Sequence, residues 1–125
     1  MKSGYCLENV DHWHEAWPEV LKLLDTLGHT RRILVDKDGW LSARQCVVGA
    51  FDPAGRAVGQ MCFHIEPISI DGKMLVEAGK VVMRARLDCH GVAPGLNEAE
   101  LTGALREASE HHARSLGCRG FVTSE

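Results

Sequence analysis

The sequence predicts an α+β fold, a mixed and mostly antiparallel sheet with a C-terminal β-α-β unit and helices packed on the sheet. Three observations carry this. The middle of the chain holds two turn signals, Asp52-Pro53-Ala54-Gly55 and Asp71-Gly72, each between apolar runs of strand character. The last third reads as strand, loop, helix and strand in that order. The start of the chain carries an amphipathic helical pattern, so helices flank a block of strands instead of alternating with each one.

The elements follow in order. Asp11 is placed to cap a helix that carries Trp13, Trp17, Val20, Leu21, Leu24 and Leu27 on one face, at steps of three and four. Pro18 falls inside this run, and a proline suits a first turn, so a start near Pro18 is the alternative. Gly28 ends the helix. Ile33-Leu34-Val35 reads as a short strand, and Asp38-Gly39 as a turn. Strands are predicted over about 43–51 and 57–68, then a hairpin of Ile68-Ser69-Ile70 with Lys73-Met74-Leu75-Val76 across Asp71-Gly72. Gly79 breaks the strand pattern and predicts a bulge or bend. From Lys80 to Cys89, Val81, Met83, Ala85, Leu87 and Cys89 fall on one face, with Arg84, Arg86 and Asp88 on the other.

After the loop from Gly91 to Leu96, Asn97 is an N-cap with Glu100 three residues on, a capping box with Asn in place of Ser or Thr. Leu101, Leu105, Ala108, His112 and Leu116 line one helix face, and Gly117 ends it. Residues 118–123 read as a last strand, parallel to the strand before the helix through a right-handed crossover. The expected organisation is one domain over 1–125: a helical region at 1–30, antiparallel strands at 43–90, and loop, helix and last strand at 91–125.

A chain of 125 residues buries about two thirds of its unfolded surface and needs no covalent staple. The formal net charge is −3 with both signs interspersed, which argues against nucleic acid or membrane as partner. The apolar runs are too short to span a bilayer, and Met1-Lys2-Ser3-Gly4-Tyr5 lacks the apolar core of a secretory signal. The five cysteines are odd in number and show no CxxC spacing, which reads as free thiols in a reducing cytoplasm. His12/His14 and His111/His112 lack the spacing of a zinc site, so no metal is expected.

The element order and the loop before the second helix resemble the GNAT N-acetyltransferase superfamily. The family pattern V-x-P-x-x-R/Q-G-x-G-I/V-G/A-x-x-L begins here at Val92 and Pro94, places Leu101 at the aliphatic position and ends at Leu105, without a gap. Asn97 stands at the Arg/Gln position, and Glu98, Glu100 and Thr102 stand at the three small-residue positions.

The resemblance implies an acyl-CoA N-acyltransferase fold, acetyl-CoA or another acyl-CoA as cofactor, and a small-molecule or protein amine as acceptor. It implies cofactor contacts from His90, Gly91, Val92, Asn97, Ala99, Leu101 and Thr102. It also places Asp88 and His90 where the acyl group would sit, to orient an amine or relay a proton. Glu66, with His64 on the same strand, would face that cleft as a base acting through water. The catalytic candidates are therefore His90, Asp88 and Glu66, while Arg84 and Arg86 would attract an anion.

Two departures from the family matter. A carboxylate about 5 Å from a phosphate costs on the order of 3 kcal/mol at an effective dielectric near 20. Glu98 and Glu100 therefore oppose a pyrophosphate at the helix start. The family also continues past the last strand into a helix and two strands, which supply an Asn and a Tyr acid, whereas the only tyrosine here is Tyr5. An uncovered sheet edge predicts a homodimer. The alternative reading is a GNAT-like module that binds a ligand or a protein without catalysis.

Overall fold

The computed structural model describes residues 4–33 and 40–123. The strands are β1 (Cys6–Val10), β2 (Gln45–Phe51), β3 (Ala57–Pro67), β4 (Ser69–Ile70), β5 (Lys73–Met74), β6 (Val76–Glu77), β7 (Lys80–Val81), β8 (Met83–Val92) and β9 (Phe121–Val122). Helix α1 spans Trp17–Thr26 and α2 spans Glu98–Ser115. The main sheet has five strands in the order β1-β2-β3-β8-β9, antiparallel except for the parallel pair β8–β9. Neither helix is long and apolar enough to cross a membrane.

Strand alternation sends successive side chains to opposite faces, and each face has its own helix. Val47, Phe51, Cys62 and Cys89 meet Trp17, Val20 and Leu24 of α1. Val48, Met61, Phe63 and Ala85 meet Leu101, Leu105 and Ala113 of α2. Leu24 and Leu105 are 0% exposed, and burying a side chain of this size stabilises by roughly 1.5–3 kcal/mol.

The N-terminal region differs from expectation: a strand, β1, precedes the helix and pairs with β2. Val10 is its only fully buried residue, so an edge strand of this kind leaves no apolar alternation to read. The helix starts at Trp17 with Pro18 in its first turn, the alternative start. Asp11 caps no helix; its carboxylate accepts the Trp13 N–H at 2.9 Å in a local turn. Trp13 is therefore outside the helix and 74% exposed, while Trp17 is buried. The proposed strand at Ile33-Leu34-Val35 and the turn at Asp38-Gly39 lie outside the described residues except for Ile33, which is buried.

Gly79 also departs from the reading as a bulge. Ala78 and Gly79 have φ of 53° and 78°, matching Asp71 and Gly72 at 54° and 78°. Both pairs form two-residue hairpin turns, joining β6 to β7 and β4 to β5. The two small hairpins branch from a closed ring of backbone bonds, in which Leu75 donates to Ile68, Ile68 to Val82 and Val82 to Leu75.

The bulge lies instead in β8. Cys62 pairs with Cys89 and Phe63 with Leu87, which leaves Asp88 without a cross-strand partner. The expected single face from Val81 to Cys89 is thereby broken: Ala85 and Leu87 pack under α2, but Cys89 packs under α1. At α2, the Asn97 side chain accepts the Glu100 N–H at 3.0 Å. The return bond of a capping box is not formed among the described residues.

Candidate functional site

Beyond the area that α1 covers, its face of the sheet carries a polar network. The parity of β2 and β3 puts Gln45, His64 and Glu66 on this face, and the bulge turns Asp88 toward them. His64 bridges two acids: Nδ1 lies 2.8 Å from Asp88 Oδ1, and Nε2 lies 3.1 Å from Glu66 Oε1. It donates to both only when both ring nitrogens carry protons. Gln45 Nε2 donates to Asp88 Oδ2 and to the Phe63 carbonyl, each at 2.9 Å. Glu66 Oε2 accepts from Arg84 Nε at 2.8 Å and Arg86 Nε at 2.9 Å.

This arrangement sets the charge of Glu66. Burial works to raise its carboxyl, but the bonds from Arg84, Arg86 and His64 outweigh that and hold it at about 2. Glu66 is thus an anion across ordinary pH and a weak proton acceptor.

The structure joins two of the three catalytic candidates, Asp88 and Glu66, through His64. His90 stands apart from them. It is cross-strand partner to Met61, which is buried under α2, so the sheet separates the exposed His90 ring from Asp88. Gln45 was not singled out in the sequence, because a glutamine at the start of a strand carries no signal of a partner on β8.

The second half of β8 offers backbone. β9 pairs with β8 only at Ala85 and Arg86. From Asp88 to Val92, β8 has β3 on one side and, among the described residues, no strand on the other. Ala93 N–H donates to the Val58 carbonyl. Antiparallel alternation then aims the backbone groups of Val92 and His90 at the open edge. The same rule holds below the bulge, where Ala85 N–H donates to Gly120 on the β9 side.

The remaining cofactor candidates divide by what occupies them. A Cβ on Gly91 would lie 2.7 Å from Leu27 Cδ1 and 3.2 Å from His29 Cε1, so this glycine lets the end of α1 pack against β8. Leu101 is 2% exposed in the core, and its N–H donates to the Asn97 carbonyl. Thr102 is half-buried on α2. The N–H groups of Glu98 and Ala99 have no protein acceptor among the described residues and form the open start of the helix. The side chains of Glu98 and Glu100 are exposed beside them.

A cavity of about 590 Å³ lies at the far side of the sheet, lined by His12, Trp13, His14, Leu41 and Gln45 among others. Its rim carries a stack of His12 on Trp40 with centroids 4.8 Å apart. Two strands separate it from the open edge of β8, and Gln45 is its link to Asp88. The chemistry is better served by the edge and the network, which hold the charged groups.

No protein-family model and no curated protein matches the sequence. Solved structures do match. The chain is similar to a ribosomal-protein-alanine N-acetyltransferase from Brucella melitensis biovar Abortus 2308, with a TM-score of 0.68 and 14% identity over 96% of this chain and 78% of that one. It is similar to a GNAT family acetyltransferase from Staphylococcus aureus, with a TM-score of 0.63 and 8% identity over 98% and 87%. A third is an aminoglycoside N-acetyltransferase in complex with CoA, with a TM-score of 0.58 and 14% identity over 96% and 78%. Identities this low speak to architecture and not to activity. The chain has the GNAT acyl-CoA N-acyltransferase fold.

Proposed function

We propose that the protein transfers an acyl group from acyl-CoA to an amine. The observation that carries this is the continuity of β8: an open backbone edge at His90 and Val92 runs directly into the Asp88–His64–Glu66 network. When bound, acyl-CoA supplies a thioester carbonyl that an amine attacks with loss of the thiol. The edge groups of His90 and Val92 suit the two amides of a pantetheine arm, as an added strand would. The free N–H groups of Glu98 and Ala99, next to Asn97, suit a pyrophosphate at the helix start.

On the acceptor side, Asp88 holds the Nδ1–H of His64 and so presents Nε2 as proton acceptor. The contact of Nε2 with Glu66, at 3.1 Å, is longer than the 2.8 Å contact of Nδ1 with Asp88. An incoming amine takes that longer place, gives its proton to His64, and lies beside the Glu66 anion. We assign Glu66 to holding the amine rather than to accepting its proton, because two arginines keep it anionic. We further propose a homodimer that covers β9, the edge strand of the described sheet, and a cytoplasmic location, since all five thiols are free.

Calorimetric titration with acetyl-CoA and CoA tests the reading. Binding in the micromolar range is expected, and no heat at millimolar ligand would sink it. The exposed acids at Glu98 and Glu100 favour a second reading, a ligand-binding module without catalysis. Binding with no acyl transfer to any of a panel of amines would select that one.

A further inference from the structure

We propose that Arg84 and Arg86 form a carboxylate-binding fork, and that the acceptor is an amine carrying a carboxylate at its other end. Both arginines leave the same face of β8, two residues apart, and both bond Glu66 through Nε alone. Among the described residues, the Nη groups of both guanidinium ions have no protein partner. They are the paired donors whose geometry matches a carboxylate bidentately. Glu66 offers them nothing more: its Oε2 takes both Nε donors and its Oε1 faces His64.

Charge points the same way. Two guanidinium ions share one carboxylate, which leaves one positive charge in excess. The side chains are 29% and 32% exposed, so an anion can reach them, yet they are fixed by their Nε bonds and lose little freedom on binding. Asp88 and His64 lie two residues further along the strand, roughly 6–7 Å away at the rise of a β-strand. The face is therefore dipolar, with cationic donors at one end and a carboxylate–imidazole pair at the other. A ligand with an anion and an amine separated by several methylenes complements it, whereas a plain alkylamine leaves the arginines to water.

The fork stands apart from acyl transfer; only the role given to the amine rests on that reading. The first test needs no acyl-CoA. The Nε–Hε signals of Arg84 and Arg86 are followed by NMR in the apo protein during titration with 6-aminohexanoate, and with hexylamine as the uncharged-tail control. Saturable shifts of both signals with 6-aminohexanoate and none with hexylamine are expected. No saturation with 6-aminohexanoate, or equal shifts with both, would overturn the proposal whatever acetyl-CoA does. The second test is R84K/R86K, which keeps the charge and the partner for Glu66 but removes the fork. Affinity for 6-aminohexanoate is expected to fall about tenfold to a hundredfold, with the folded spectrum retained. An unchanged affinity in a folded R84K/R86K protein would also overturn it.

Discussion

The two halves of β8 have opposite chemistry. From Arg84 to Asp88, the strand acts through side chains, each tied to a partner on β2 or β3. From Asp88 to Val92, it acts through backbone, with the last β9 pair behind it and an edge left open. The single unpaired residue, Asp88, marks the change. An extra residue there does two things at once. It turns a carboxylate onto the α1 face, and it shifts the hydrogen-bonding parity so that His90 and Val92 present their amides outward. A strand without the bulge would keep Asp88 in regular alternation and reverse that parity. The acceptor chemistry and the cofactor edge are thus two consequences of one register shift.

The sharpest break of this comparison removes the hub of the side-chain half. His64→Phe is expected to lower kcat/KM for acyl transfer about a hundredfold or more, the usual loss when a positioned base is removed. Asp88→Asn should lower it less and should also change the pH profile, because Asp88 acts by holding His64 and not by touching the amine. If His64→Phe folds and retains full activity, the network is structural and the proton leaves by another route.

A smaller effect probes the backbone half. Gly91→Ala brings a Cβ to within 2.7 Å of Leu27 Cδ1, and overpacking of this kind costs about 1–3 kcal/mol. Urea unfolding should show that loss. Leu27→Ala in the same chain removes the clash, so the double variant should be more stable than the sum of the single effects by about 1 kcal/mol. Additive effects would mean that the end of α1 does not press on β8.

How much of this was legible follows the same division. The frame from Val92 through Leu105 could be read because it is local: a loop, an N-cap at Asn97, and an apolar face at Leu101 and Leu105. Residues 66 and 88 were legible as acids on neighbouring strands. Their link was not, because it depends on a bulge, and Asp88 carries no glycine or proline to announce one. The regular alternation from Val81 to Cys89 even pointed away from it. Strand β1 was hidden for a different reason: an edge strand with one buried residue has almost no period to detect. The arginines could be placed on a face, but which of their nitrogens Glu66 would take is a matter of packing alone.

The smallest expected effect concerns the acids at the start of α2, and there two physical terms have opposite signs. Glu98 and Glu100 lie in the first turn, where negative charge complements the helix dipole by about 0.3–1 kcal/mol each. The same charges repel a pyrophosphate by about 1 kcal/mol each when fully solvated. Glu98→Gln with Glu100→Gln should therefore weaken the fold slightly while strengthening CoA binding about tenfold, by calorimetry at low salt. Asn97 still accepts the Glu100 N–H, so the cap itself is kept. Both changes should shrink as salt is raised, since exposed charges are screened beyond a Debye length of about 10 Å at 0.1 M. A loss of stability with no gain in affinity would show that these acids serve the helix alone, and that the phosphate, where it binds, lies out of their reach.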